Sequence, residues 1–187
     1  PDLATIRNSA LLLRDAAAGV KAVGFTNLTE LTNTTVTMDG TAQATFPALA
    51  TMQDVAVTLR NTASLSLPAL TSWTGTKGGI GFTVSNAANF SVPALASAVN
   101  VTFTVRTGGQ VTLPALTTYT YPLVANPTIF DAANEDSQLN LPALTALTFD
   151  DDQNHGVTAR VSATDGGHID LSALTTITLG ASHKATI

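Results

Sequence analysis

Apolar and polar residues alternate along much of this chain, and the alternation ends repeatedly on one short motif. The motif reads FPALAT, LPALTS, VPALAS, LPALTT, LPALTA and LSALTT, with anchor leucines Leu49, Leu70, Leu95, Leu116, Leu144 and Leu174. Five residues before each anchor stand Ala44, Leu65, Phe90, Val111, Leu139 and Ile169, and three before it Phe46, Leu67, Val92, Leu113, Leu141 and Leu171. The residue between them is polar in every copy: Thr45, Ser66, Ser91, Thr112, Asn140 and Asp170. Period-two alternation of this kind predicts a strand with one buried face. Pro follows the last apolar residue in five of the six copies, where it cannot donate to a ladder, so the chain must turn a corner there.

Two further strands follow from the same alignment. One carries Met52, Trp73, Ala98, Tyr119, Leu147 and Ile177 three residues past the anchor. Another lies 15 to 11 residues before the anchor, as in Val55, Val57 and Leu59, Ile80, Phe82 and Val84, or Val101, Phe103 and Val105. Two weaker copies of the motif centre on Leu3 and on Leu31 (LTELT), giving anchor spacings of 28, 18, 21, 25, 21, 28 and 30 residues. The uninterrupted 21-residue unit occurs twice in this alignment. Three short strands per repeat predict an all-β, three-faced β-solenoid with parallel strands stacked at roughly 4.8 Å per rung. About seven coils of 18–30 residues fill residues 1–187 as a single domain. Ala10 to Val20 alone has helix-forming composition, and a short helix or cap there competes with a coil wall. Asp131 falls where an apolar residue is expected, with Phe130 one position off, which predicts a bulge.

The LxLPALT pattern, with a Gly-containing turn ahead of it, resembles repetitive PALT-type segments of large secreted bacterial surface proteins. Gly166 to Thr175, GGHIDLSALT, carries the resemblance most fully. The pattern is also similar, more distantly, to receptor L-domain and BspA-type leucine-rich repeats. The resemblance implies a right-handed parallel β-helix on an extracellular or cell-surface protein, and it transfers no catalytic residue. Pro1 to Thr5, PDLAT, itself looks like the interior of a motif, so the chain is expected to be a processed or excised piece of a longer repetitive protein.

Composition narrows the function classes. Charged residues make up 11% of the 187, with 13 acidic against 8 basic and a net charge of −5. Eight cations cannot neutralise many phosphates, which argues against a nucleic-acid partner. Hydrophobic residues at 44% argue against disorder. No apolar run approaches the roughly 18 residues of a membrane span, so membrane insertion is not expected. Without cysteine there is no disulfide, thiolate metal site or Cys nucleophile. The excess lies in hydroxyls, with 32 Thr and 11 Ser.

Candidate chemistry gathers where the longer coils carry insertions: Gly75–Gly79, Tyr121–Thr128 and Phe149–Gly156. Loops inserted at one solenoid corner lie side by side, and such loops are favoured binding sites. Lys77, Tyr121, Asp150, Asp151, Asp152 and His155 are the ligand-binding candidates there, with an extracellular glycan as the ligand class. Asp150, Asp152 and Asn154 alternate as Ca²⁺ ligands do, but Val161 stands where an EF-hand needs its bidentate Glu. A Ca²⁺ ion is the one cofactor these residues suggest, against a solvated acidic turn; Asp131, Glu135 and Asp136 form a second acidic loop of the same kind. Asp151, His155 and Arg160 are the residues a polysaccharide lyase or hydrolase would need to bring together, while His168 and Asp170 read as outward ladder residues. No Ser-His-Asp or phosphate-loop pattern accompanies them.

Outward threonines form a separate candidate set: Thr35, Thr37, Thr58, Thr83, Thr102 and Thr104 on one strand column pair, and Thr74, Thr118, Thr120, Thr176 and Thr178 on another. Such flat ranks resemble the TxT surfaces of ice-binding proteins, although Thr is also a good residue for any exposed strand. Four Asn-x-Ser/Thr sequons, at Asn27, Asn33, Asn89 and Asn100, match chance expectation for this composition. The leading expectation is a non-enzymatic extracellular repeat module, a spacer or adhesin-like segment whose partners are neighbouring repeats or like subunits stacked end to end. Ice binding is the alternative, and a polysaccharide-active enzyme the third reading.

Overall fold

The turn that ends on the anchor leucine forms the first corner of each coil, and in five coils it reads Pro-Ala-Leu. The N–H of Leu49 donates to the carbonyl of Phe46 at 3.3 Å, and Leu70, Leu95, Leu116, Leu144 and Leu174 repeat the bond to the residue three before them. This is a β-turn in which Pro occupies the second position, where its fixed φ fits and its missing donor costs nothing. The anchor leucine closes the turn and drops its side chain into the core. The computed structural model describes residues 3–14, 22–78, 80–122, 128–150, 158–179 and 184–186.

Three walls rise from these corners. Wall three leads into the PAL corner and comprises Ala22–Gly24, Gln43–Thr45, Ser64–Ser66, Asn89–Ser91, Gln110–Thr112, Gln138–Asn140 and His168–Asp170. These seven strands form one parallel sheet without a register shift. Wall one follows the anchor with Thr5–Arg7, Ser72–Thr74, Ser97–Val99, Thr118–Pro122, Ala146–Asp150 and Thr176–Leu179. Wall two comprises Ala10–Arg14, Gly81–Ser85, Thr102–Arg106, Thr128–Ala133, Thr158–Thr164 and Lys184–Thr186. Two coils run through both walls as single long strands, Glu30–Asp39 and Thr51–Leu59, so walls one and two join into one 14-stranded sheet. The structure is therefore a parallel β-solenoid, as the alternation predicts.

The inward columns match the alignment. Met52 pairs with Trp73, Trp73 with Ala98, Ala98 with Tyr119, and Tyr119 with Leu147. On wall two, Phe82 stacks on Phe103 with ring centroids 4.7 Å apart, and Phe103 on Phe130 at 5.4 Å. Tyr119 packs edge-on against Phe130 of this stack at 4.8 Å, and Trp73 lies tilted against Phe82 and edge-on to Phe90 of wall three, both at 6.2 Å. Offset and edge-to-face rings of this kind add to the burial of their area.

Four details correct or settle the sequence expectation. The second weak motif is anchored at Leu28, not Leu31. Leu28 donates its N–H to the Phe25 carbonyl at 3.2 Å, while Leu31 lies on wall one opposite Met52. The anchor spacings then become 25, 21, 21, 25, 21, 28 and 30, and the uninterrupted unit occurs three times. Ala10–Arg14 is a strand and not a helix, with Leu11 and Leu13 packed on the core and Leu12 53% exposed; residues 15–20 of that stretch lie outside the described residues. The closed core is also shorter than seven coils. Leu28, Leu49, Leu70, Leu95, Leu116 and Leu144 are all 0% exposed, which bounds about five turns, whereas Leu3 is 41% exposed.

The fourth detail concerns Asp131. It pairs with Thr104 in an outward column and forms an ion pair with Arg106, while Phe130 takes the inward place opposite Phe103. The extra residue lies after the strand, in the Asn134–Ser137 turn, where Asn134 and Asp136 both have positive φ. A register shift between Thr128 and Phe130 does occur against the next coil, so a strand irregularity is present as well.

Candidate functional site

The corner between walls one and two holds the insertions, and left-handed residues build it. Asn8, Asn33, Asp54 and Asn100 take φ of 51, 47, 53 and 55°, a conformation that short polar side chains tolerate best after glycine. The three 21-residue coils close on Asn33, Asp54 and Asn100 without a loop. Polar side chains then tie one coil to the next. Asn33 donates from Nδ2 to Asn8 Oδ1 at 2.7 Å, and Asn100 donates from Nδ2 to the Gly75 carbonyl at 3.0 Å.

Asp54 reaches up to the Gly75–Gly78 insertion. The Thr76 N–H and hydroxyl both donate to its carboxylate, at 2.5 and 2.7 Å. Burial alone would push this carboxyl up, but the Thr76 hydrogen bonds and the nearby Lys77 charge hold it below its ordinary value. Lys77 donates from Nζ to Asn33 Oδ1 at 3.1 Å, across two coils. The insertion returns to wall two through Gly81, whose φ is +141°; a Cβ there would sit 1.9 Å from the Thr102 carbonyl oxygen. Lower on the same edge, Arg7 and Glu30 form an exposed ion pair at 2.7 Å, and the Arg7 hydrogen bond holds the Glu30 carboxyl low.

The ligand-binding candidates are distributed unevenly over this corner. Lys77 is exposed there, tied to Asn33. Tyr121 is buried, 4% exposed, with its ring stacked on Tyr119 at 6.5 Å, so it belongs to the core wall and not to the solvent face. The Asp150 backbone pairs with Pro122 at the end of wall one. Asp151, Asp152, Asn154 and His155 lie outside the described residues. In the second acidic loop, Asp131 is engaged with Arg106, while Glu135 and Asp136 are exposed in the turn beyond it. Among the described residues, no three acidic or histidine side chains gather as metal ligands.

No family model, curated protein or solved structure matches the chain. What the residues can do therefore rests on their geometry. Arg160 is exposed on wall two, with Thr128 and Thr186 as its backbone neighbours. His168 is exposed in the last rung of wall three, opposite Gln138. Asp170, two residues on, accepts the Ser172 N–H at 2.9 Å, and hydrogen bonding from Ser172 holds its carboxyl low. That is the pattern of a turn-capping aspartate and not of a general acid, which needs a raised value.

The threonine candidates divide between two walls of different regularity. Thr35, Thr37, Thr58, Thr83, Thr102 and Thr104 lie on wall two, where Gly81 and Asp131 interrupt the ranks. Thr102 also uses its hydroxyl internally, on the Ile80 carbonyl at 3.1 Å. Thr74, Thr118, Thr120, Thr176 and Thr178 lie on wall one. There one outward column runs Thr51, Ser72, Ser97, Thr118, Ala146 and Thr176, and the other Gln53, Thr74, Val99, Thr120, Thr148 and Thr178. Thr148 belongs to this rank although it was not among the candidates. Its position four residues after Leu144 was the signal.

Two grooves lie elsewhere, on wall three, across the solenoid from the insertions. One of about 290 Å³ is lined by Ala87, Ala88, Asn89, Gly108 and Gln110. The other, about 230 Å³, is lined by Asn89, Ser91, Gln110, Thr112 and Asn140 over Phe90. Of the four sequon asparagines, Asn27, Asn33 and Asn89 are exposed, whereas Asn100 is only 6% exposed and its amide is held by Gly75. A glycan on Asn100 would require opening the corner.

Proposed function

We propose that the chain is a non-enzymatic structural module of an extracellular or cell-surface protein, a rigid β-solenoid spacer of the PALT-repeat kind. The observation that carries this reading is the unbroken register of wall three through seven rungs. Every rung repeats the same hydrogen-bonded step, and corner side chains such as Asn33, Asp54 and Asn100 are committed to the adjacent coil. A stack built this way resists bending because each coil is fixed to its neighbours at walls and corners alike. Its partners are neighbouring repeats or like copies in line with its axis. Protease treatment of intact cells tests the location: peptides of this chain released before lysis support the reading, and peptides released only after lysis end it. Incubation with a polysaccharide panel tests the absence of catalysis, and any new reducing or unsaturated ends overturn it.

A second reading, ice binding, is favoured by one specific feature, the two flat hydroxyl-bearing columns of wall one. Thr118 and Thr120 lie near their centre, in register with Ser97 and Val99 below and Ala146 and Thr148 above. Thermal hysteresis that Thr118→Tyr abolishes would establish this function. A wild-type protein without hysteresis at millimolar concentration removes it.

A further inference from the structure

We infer that wall three carries a second functional surface, a trough for a neutral polyhydroxylated chain such as an uncharged polysaccharide. The two grooves on this wall share Asn89 and Gln110, so the same two exposed amides border both. Together they line a strip of the wall from Ala87, Ala88 and Gly108 to Thr112 and Asn140. This strip is distinct from the insertion corner, and the inference does not rest on the spacer reading.

The chemistry of the lining selects the ligand. One outward column of wall three reads Gln43, Ser64, Asn89, Gln110 and Gln138, and the other Thr45, Ser66, Ser91, Thr112 and Asn140. Every outward position over these five rungs carries an amide or a hydroxyl, and no strand residue from Gln43 to Asn140 on this wall is charged. A primary amide offers two donors and an acceptor in one plane, which complements a hydroxyl that both donates and accepts. A charged polymer would find no counter-ion along the trough, and burying its charge there would be costly.

These groups are also unspent. Apart from a 3.4 Å bond from Asn140 Nδ2 to Thr112 Oγ1, the side chains of both columns bond to no other described residue. That separates wall three from the corners, whose amides and carboxylates are committed to neighbouring coils. Parallel in-register stacking presents an amide or hydroxyl at the same place on each rung, roughly 4.8 Å apart. A ligand that repeats along its own length can therefore satisfy several rungs at once. Ala87, exposed at the edge of the groove, supplies an apolar rim for the C–H face of a sugar ring.

The test is affinity electrophoresis and calorimetry against neutral glucans of β-1,4, β-1,3 and α-1,4 linkage, with a β-1,4-linked uronate polymer as the charged control. Wild-type protein is expected to bind at least one neutral glucan and not the uronate. Asn89→Ala combined with Gln110→Ala should weaken that binding about tenfold or more, as the loss of two hydrogen-bonding side chains implies. Lys77→Ala, at the insertion corner, should leave it unchanged. Both exposed amides project to solvent, so circular dichroism and the melting temperature of the double variant should match wild type. Failure to bind any neutral glucan, a preference for the uronate, or full binding by the double variant would each overturn the inference. Loss of binding on Lys77→Ala alone would move the site to the insertion corner and overturn it equally.

Discussion

Tight and expanded coils of this solenoid solve the same corner differently, and the difference reaches into the core. Where the chain closes on Asp54 or Asn100 without a loop, the next residue turns its carbonyl towards the interior. The following coil supplies a buried donor for it: Trp73 Nε1 to the Val55 carbonyl at 3.2 Å, and the Tyr119 hydroxyl to the Val101 carbonyl at 2.6 Å. Where a loop intervenes, the equivalent inward positions are Ala98, Leu147 and Ile177, which have no donor to give. The aromatic residues are thus matched to the corner below them. The first tight coil, closed by Asn33, is followed by Met52 and places the buried Thr34 at that position, with its hydroxyl on the Thr32 carbonyl at 2.9 Å.

The largest expected effects break this match. Trp73→Phe leaves a cavity and strips the Val55 carbonyl of its donor, and a loss of about 3 kcal/mol is expected. Tyr119→Phe keeps the ring and removes only the hydroxyl, which should cost about 1–3 kcal/mol because the Val101 carbonyl stays buried and unpaired. Tyr121→Phe is the control, since the neighbouring Tyr121 hydroxyl bonds to no described residue. Chemical denaturation measures all three, and equal losses in Tyr119→Phe and Tyr121→Phe would remove the matching argument.

A second comparison joins the two coil types, because a tight-corner residue staples the expanded one. Asp54 holds Thr76 at the start of the insertion, and replacing it with Ala should cost about 2 kcal/mol, as for other hydrogen bonds to a charged group. Its carboxyl is held below the ordinary aspartate value in the folded state. The stabilisation is therefore complete above the unfolded value, roughly pH 4, and drains away as pH falls through the lower folded one. Asp54→Asn should flatten that acid limb of the stability profile while leaving the slope above pH 5 unchanged. An acid limb identical to wild type would place the titration elsewhere.

The architecture was legible because it repeats: six copies of one alternation placed every inward column, and Pro at the turn marked the corner. Leu28 was harder to find because Thr26 replaces the proline there, while LTELT imitates the motif three residues later. Asp131 misled because a single added residue in the Asn134–Ser137 turn shifts the count while Phe130 and Asp131 stay in register with Phe103 and Thr104. The Trp73 and Tyr119 bonds were not readable, since an inward carbonyl leaves no trace in side-chain pattern. For the same reason the insertions drew attention to one corner, while the trough around Asn89 and Gln110 depends on how neighbouring rungs are recessed.

The smallest expected effect concerns the residue after each anchor, and it sharpens the question of why threonine is so frequent. Thr71, Thr117, Thr145 and Thr175 each donate their hydroxyl to the carbonyl of the equivalent residue one coil below, at 3.2–3.4 Å. The backbone N–H of the same threonine donates to the same carbonyl, at 3.0–3.2 Å. Ala4, Ala50 and Ala96 occupy this position in three coils, and the last two leave gaps in the hydroxyl ladder. These sites are exposed, so water competes for the carbonyl and each rung contributes about 0.5 kcal/mol. Thr145→Val keeps the branched shape and loses the hydroxyl, and should destabilise by that amount, whereas Thr145→Ser should largely retain it. Ala96→Thr completes the ladder onto Thr71 and should raise the denaturation midpoint. If Thr145→Val and Thr145→Ser behave alike, β-branching and not the hydroxyl is what selects threonine beside the anchor, and the ladder is a consequence of the packing.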